Sequence, residues 1–162
     1  MHVIEKAQLS DLPRILEIYE GARQFMRENG NPNQWKNVHP PKDSLIENIE
    51  EQKLYVLKEK GKVHGVFFFD KGPDPTYDYI EGNWLNEDDY CVIHRIASSG
   101  EVRGVLKKCF EYCLQFTNNI KIDTHADNKI MQKGLEGLGF IHCGTIYVPG
   151  YGPMKAYQYC KV

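Results

Sequence analysis

The chain has 162 residues, enough for one domain with a sizeable buried core. Hydrophobic residues make up 41% and charged residues 26%, a globular balance that argues against disorder. Twenty basic against twenty-two acidic residues leave a formal charge of −2, which excludes a broad positive field for nucleic acid or an anionic membrane, though not a local basic site.

Strand and helix signals alternate along the chain, with no repeat or low-complexity segment between them. The opening Met1-His2-Val3-Ile4-Glu5-Lys6 has no apolar stretch of the secretory kind, and residues 2–7 predict a first strand. Ser10 reads as a helix N-cap with Asp11 in the first turn; Pro13 is tolerated there because the first N–H groups lack intrahelical partners. Leu12, Ile15, Leu16, Tyr19, Ala22 and Met26 follow at helical spacing. Asn29-Gly30-Asn31-Pro32-Asn33 ends that helix. A shorter helix is predicted over 43–51, with Leu45, Ile46 and Ile49 inward. Residues 54–57 and 63–69 read as strands joined at Lys60-Gly61-Lys62.

Residues 70–89 are the hardest stretch. A bare loop of about twenty residues is uncommon in a compact domain and, where present, is often functional. This one carries Pro73, Pro75, Tyr77, Tyr79, Trp84 and several acidic residues, so an ordered excursion with a short strand near 77–80 is expected. Its rings suit either a satellite core or substrate contact. Residues 90–97 are the next strand, and Val102, Val105, Leu106, Cys109, Phe110 and Cys113 mark the helix after it. A strand over 120–124 and a helix over 128–138, stopped by Gly139, come next. Two last strands near 141–148 and 154–160 meet at Pro149-Gly150-Tyr151-Gly152-Pro153. The order predicts an α/β fold whose sheet has an antiparallel end.

The five cysteines include no Cys-x-x-Cys pair, and Cys109 and Cys113 sit one helical turn apart on an apolar face. They read as free thiols used as small core residues in a reducing, cytosolic compartment, not as a metal site. Apolar runs such as Val66-Phe67-Phe68-Phe69 are far too short to span a bilayer.

The informative unit is strand, tight loop, helix: Ile93-His94-Arg95-Ile96-Ala97, then Ser98-Ser99-Gly100-Glu101-Val102-Arg103-Gly104, then Val105 onward. Glycines before a helix let the backbone turn closely, and a helix N-terminus offers orphan N–H donors to an anion. A plain strand-to-helix turn would look the same. Neither the dinucleotide fingerprint nor the P-loop is present, so a diphosphate held here belongs to another carrier.

Residues 90–148 resemble the GNAT superfamily of N-acetyltransferases, which bind acetyl-CoA. The family's apolar strand and Arg-Gly loop stand here as Ile96-Ala97-Ser98 and Arg103-Gly104. Its second block stands as Ile120-Lys121-Ile122-Asp123-Thr124, Asn128 and Gly139-Phe140, with the family's twelve-residue step from Asn128 to Phe140. The resemblance implies that backbone groups of Ile96, Ala97 and Ser98 pair with the pantetheine arm. It implies that amides around Arg103, Gly104 and Val105 hold the pyrophosphate, and that Asn128 touches the pantetheine, although Asn is also an ordinary helix cap. Two departures from the family matter. Leu106 and Lys108 stand where it usually has glycines, and Leu135 replaces a Tyr that protonates the departing thiolate.

Acetyl transfer to an amine needs a base, a positioned acceptor and a donor for the developing oxyanion. A backbone N–H near the end of the 90–97 strand suits the last role. His94 is the first candidate base: strand alternation places it on the same face as Ile96, unless it is simply a packed histidine. Asp123 and His125 share a face of the next strand and are the runner-up, and Tyr147 is a candidate acid. Trp35, Tyr79, Glu81 and Trp84 suit a cationic amine acceptor, being aromatic or acidic.

The expectation is therefore a single α/β domain over 1–162, with a mixed, mostly antiparallel sheet flanked by about four helices. The resemblance implies an N-acetyltransferase with acetyl-CoA as co-substrate, a small-molecule amine ahead of a protein as acceptor, and a homodimer. A cytoplasmic protein with no metal, nucleic-acid or membrane partner is expected. The alternative is a non-catalytic acyl-CoA-binding module, favoured by Leu135.

Overall fold

The structure, a computed structural model, describes residues 1–36 and 39–161; Asn37, Val38 and Val162 of the expected domain lie outside the described residues. Strand β1 (His2–Lys6) leads through a 3₁₀ turn at Leu9–Asp11 into α1 (Leu12–Glu28). Asp11, not Ser10, therefore takes the N-cap position of α1. The reason is the 3₁₀ turn, which the Asp11 carboxylate holds by accepting the Gln8 N–H at 2.9 Å. Helix α2 (Lys42–Glu50) and the hairpin β2 (Leu54–Glu59) and β3 (Lys62–Lys71) follow as expected.

The 70–89 excursion is ordered, but its strand lies later than predicted. Asp74 accepts the N–H of Thr76 at 2.9 Å and its hydroxyl at 2.7 Å, which sets a 3₁₀ turn at Pro75–Tyr77. The two-residue strand β4 (Glu81–Gly82) comes after it and pairs with Gly144 and Thr145. That pairing needs glycine on both sides, since a Cβ on Gly144 would sit 2.2 Å from the Glu81 carbonyl oxygen. Strand β5 (Cys91–Ser98), α3 (Val105–Cys113), β6 (Asn119–Thr124), α4 (Lys129–Gly137), β7 (Ile141–Val148) and β8 (Gly152–Cys160) complete the chain.

The strands form one sheet in the order β1-β2-β3-β5-β6-β8-β7-β4, antiparallel throughout except for β5 and β6. Side chains of alternate parity cover its two faces. Phe67, Phe69, Ile93, Ile120 and Ile122 pack with α3 and α4, burying Cys109, Cys113 and Leu135 completely. Val56, Val66 and Ala97 pack with Ile15, Ile18 and Tyr19 of α1 and Leu45 and Ile49 of α2. Each Val, Leu, Ile or Phe among them contributes about 1.5–3 kcal/mol on burial. A third cluster joins Tyr77, Ile80, Trp84 and Tyr90 to Val92, Ile146 and Met154, so the excursion's rings do build a satellite core. Among the described residues, no helix is long and apolar enough to cross a membrane.

Candidate active site

The site begins as an irregularity in β5. The register with β3 runs Val66↔Ala97 and then Phe68↔His94, so two steps on β3 face three on β5. The extra residue makes a bulge, and Arg95 takes a left-handed φ of 58°, uncommon for a residue with a side chain. The buried Tyr19 hydroxyl donates to the Arg95 carbonyl at 2.7 Å and pins the bulge. Simple alternation therefore fails here. Ile96 packs on the α3–α4 core, whereas the His94 ring lies 5.8 Å from both Phe68 and Tyr77 on the other face. The expected common face of His94 and Ile96 is corrected by one inserted residue.

The bulge also opens the sheet. Strands β5 and β6 pair only at Cys91↔Ile120 and Val92↔Lys121. Beyond Val92, β5 stays with β3 and β6 stays with β8, so the edges facing one another are unpaired. Two cavities flank this fissure. One, of about 360 Å³, is lined by Trp35, Phe68, Asp74, His94, Arg95 and Asp123 among others. The second, of about 560 Å³, runs between α1, the end of β5 and the N-terminal turns of α3 and α4. Both include Met26, Ile96, Asn128 and Met131 in their walls, so they meet at the splayed strands.

In the smaller cavity His94 sits between two carboxylates. Its Nε2 lies 2.8 Å from Asp74 Oδ2, and its Nδ1 lies 3.7 Å from Asp123 Oδ1. Burial acts to raise the Asp74 carboxyl, but hydrogen bonds from His94 and Thr76 overcome it and hold the group down at about 2. An ionised carboxylate only accepts, so Nε2 carries the hydrogen, and whenever the ring is neutral its lone pair is on Nδ1. Asp123 differs. Burial pushes its carboxyl up, against the pull of His94 and of the Tyr77 hydroxyl, which donates to it at 2.6 Å.

Asp74 supports a test by stability. Its folded value of about 2 lies below the ordinary 3.8, so its stabilisation is present above about pH 4 and lost as pH falls toward 2. Asp74→Asn is expected to cost about 2 kcal/mol at neutral pH and progressively less on acidification, read by urea denaturation across pH. An equal loss at all pH values would mean that the ionised carboxylate is not what stabilises the turn.

The expected site residues divide into three groups. Trp35, His94, Ile96, Asp123 and Asn128 line the smaller cavity, and Ile96, Ala97, Ser98, Val105 and Asn128 line the larger. Arg103 and Gly104 line neither, but lie on the loop between Gly100 and Val105, which both line the larger one. Gly104 has a φ of 73° and offers no side-chain cap, so the first N–H groups of α3 keep no capping partner. Asn128 both caps and bridges: its Oδ1 accepts from the Met131 N–H, and its Nδ2 donates to Gln34 Oε1, each at 3.0 Å.

The remaining candidates fall outside both cavities. His125 lies beyond the end of β6, where its Nδ1 accepts the Asp127 N–H at 3.0 Å, so it shares no strand face with Asp123. Tyr147 is exposed, bonds its hydroxyl to Glu81 and stacks on Tyr79. Trp84 donates to the Tyr77 carbonyl at 3.0 Å and carries the Lys121 ammonium on its ring. Leu106, at a family glycine position, packs so close to α4 that a Cβ on Gly134 would lie 2.8 Å from it. Leu135 is fully buried in the core and reaches neither cavity.

Sequence reasoning missed Asp74, Gln34 and Arg95. Asp74-Pro75-Thr76 does carry a turn signature that points at the carboxylate. Gln34 directly follows the segment 29–33 that reads as a helix terminator, and nothing local marks Arg95.

No protein-family model and no curated protein matches the chain. Solved structures do. A GNAT-family acetyltransferase from Streptococcus agalactiae is 28% identical, with 99% of this chain and 96% of that one covered and a TM-score of 0.88. A protein of Staphylococcus aureus Mu50, described as a candidate acetyltransferase, is also 28% identical, with 98% of each chain covered and a TM-score of 0.72. A further candidate acetyltransferase, from Salmonella typhimurium and solved with its cofactor acetyl-CoA, shares the fold at 15% identity, 98% and 93% coverage and a TM-score of 0.62. The likeness runs over the full length of the chain, which therefore has the fold of the GNAT-superfamily acetyltransferases.

Proposed function

We propose that the chain transfers the acetyl group of acetyl-CoA to the primary amine of a small molecule. The observation that carries the reading is the meeting of two cavities at Ile96, with His94 facing one and an unpaired strand edge and an uncapped helix terminus facing the other.

The larger cavity fits an acyl-CoA. Its free β5 edge at Ile96, Ala97 and Ser98 suits an amide-bearing arm added as a further strand, and the first turn of α3 with Arg103 suits a diphosphate. When bound there, acetyl-CoA supplies the acetyl group in activated thioester form. The Salmonella neighbour's acetyl-CoA supports the same occupant here.

The smaller cavity fits the amine. His94 Nδ1 and Asp123 Oδ1 are two acceptors 3.7 Å apart, a gap that an ammonium N–H can enter. His94 then takes the proton, Asp74 holds the ring in the tautomer that can accept it, and Tyr77 orients Asp123. With Leu135 in the core, no side chain donates from that family position, and the departing thiolate takes its proton from water.

Calorimetric titration with acetyl-CoA, set beside thiol release in the presence of amines, tests this. Binding in the micromolar range is expected, weakened about tenfold or more by Arg103→Ala with Asn128→Ala. No binding by the unaltered chain would sink the proposal; binding without turnover of any amine would favour a non-catalytic acyl-CoA module, which buried Leu135 already suggests.

A further inference from the structure

Arg95 is an unmatched cation in the wall of the smaller cavity. The bulge turns two consecutive residues, His94 and Arg95, toward the same side, where a regular strand would separate them. The Arg95 Nη1 donates at 2.6 Å to Asn48 Oδ1, a neutral partner, and among the described residues no carboxylate pairs with it. A guanidinium has five N–H donors, so most of its capacity is uncommitted. The fully sealed side-chain atoms without partners are Arg23 Nε and Asn31 Oδ1 among the described residues, so the free N–H groups of Arg95 are not shut away from the cavity.

This arrangement is costly for folding alone. A half-buried charge without a counter-ion is unfavourable, and φ of 58° is a backbone conformation that disfavours any residue with a Cβ. Burial accordingly pulls the guanidinium's pKa down, only partly offset by Tyr19, Tyr151 and Glu47. Its field reaches the cavity wall: burial first, then Arg95, His94 and Arg23, push His39 down to about 4. His39 is therefore neutral near pH 7 and adds no second cation. Asp74 and Asp123 put the opposite charge beside His94, and Trp35, Phe68 and Met154 contribute apolar wall.

We infer that the acceptor carries a carboxylate as well as its amine, and that Arg95 binds the carboxylate while His94 and Asp123 receive the amine. The ligand class is an amino acid, with its carboxylate toward Arg95, its amine toward His94 and Asp123, and its apolar part against Trp35, Phe68 and Met154. The amine half rests on the acetyltransferase reading; the carboxylate half rests on Arg95 alone.

The test uses the twenty L-amino acids, β-alanine and 5-aminopentanoate, each paired with its carboxamide. Binding is read by calorimetry on the full chain, and turnover by thiol release with acetyl-CoA. At least one acid is expected to bind about tenfold or more tightly than its amide. Arg95→Gln is expected to erase that preference to within about twofold. Asn48→Asp guards against misfolding: it keeps Arg95, gives it a counter-ion, and is expected to erase the preference equally. The inference is overturned if no acid is preferred over its amide, or if the preference survives both substitutions. Preference in binding without thiol release would uphold the carboxylate site and defeat the acetyltransferase reading. Thiol release from acids and amides alike would do the reverse.

Discussion

Replacing His94 by Gln is expected to lower acetyl-transfer turnover by about 10²–10⁴-fold while leaving acetyl-CoA affinity within about threefold. Gln can keep a hydrogen bond to Asp74, so the cavity wall survives, but it cannot take a proton at pH 7. The geometry makes the comparison sharp. His94 Nε2 is held by ionised Asp74 at 2.8 Å, and Nδ1 is left as the accepting atom 3.7 Å from Asp123. Acetyl-CoA lies on the other side of the fissure in this reading, among Ile96, Ala97 and Ser98, and loses nothing when the imidazole goes. Steady-state thiol release with calorimetric titration of the same variant separates the two effects. Turnover within a factor of about three of the unaltered chain would move the base elsewhere, to water or to Asp123.

Leu135→Ala is expected to cost about 2–5 kcal/mol of stability without a comparable loss of turnover below the melting range. Leu135 is fully buried among the residues that pack α3 and α4 on the sheet, including Phe110, Ile122 and Phe140. Removing its branch leaves a void that a close-packed interior fills only in part. At about 2–4 °C per kcal/mol for a domain of this size, the thermal midpoint falls by on the order of 10 °C. Leu135→Tyr, which restores the usual family residue, is expected to cost about 1–3 kcal/mol by overpacking and to give no gain in rate. A faster Tyr variant would mean that α4 presents this position to the larger cavity, contrary to the packing of Leu135.

Much of the fold was legible because its signals are local. Helical spacing from Leu12 to Met26 and from Val105 to Cys113 needs only neighbouring residues, and so does the turn at Lys60-Gly61. The two motif blocks around Arg103-Gly104 and Asn128 are short and ordered along the chain, so they too could be read. The errors fall where a second local rule competed. Ser10 and Asp11 are both good caps, and only the 3₁₀ turn decided between them. Tyr147 and Glu81, read as candidate site residues, bond to one another at the exposed β4–β7 edge, where the Gly82–Gly144 approach brings distant strands together.

The sequence by itself therefore determined most of the strands and helices, which faces are apolar, and which blocks resemble the GNAT superfamily. Each follows from a periodicity of two or 3.6 residues, or from a motif contained in one turn of chain. Only the tertiary structure decided the chemistry of the cavity. Asp74 meets His94 across twenty residues, Tyr77 meets Asp123 across forty-six, and Asn48 meets Arg95 across forty-seven. The bulge that turns Arg95 and His94 to one side depends on the register of β5 against β3. Register is set by the summed packing of both sheet faces, and a single inserted residue reverses every side chain beyond it, which no local pattern records.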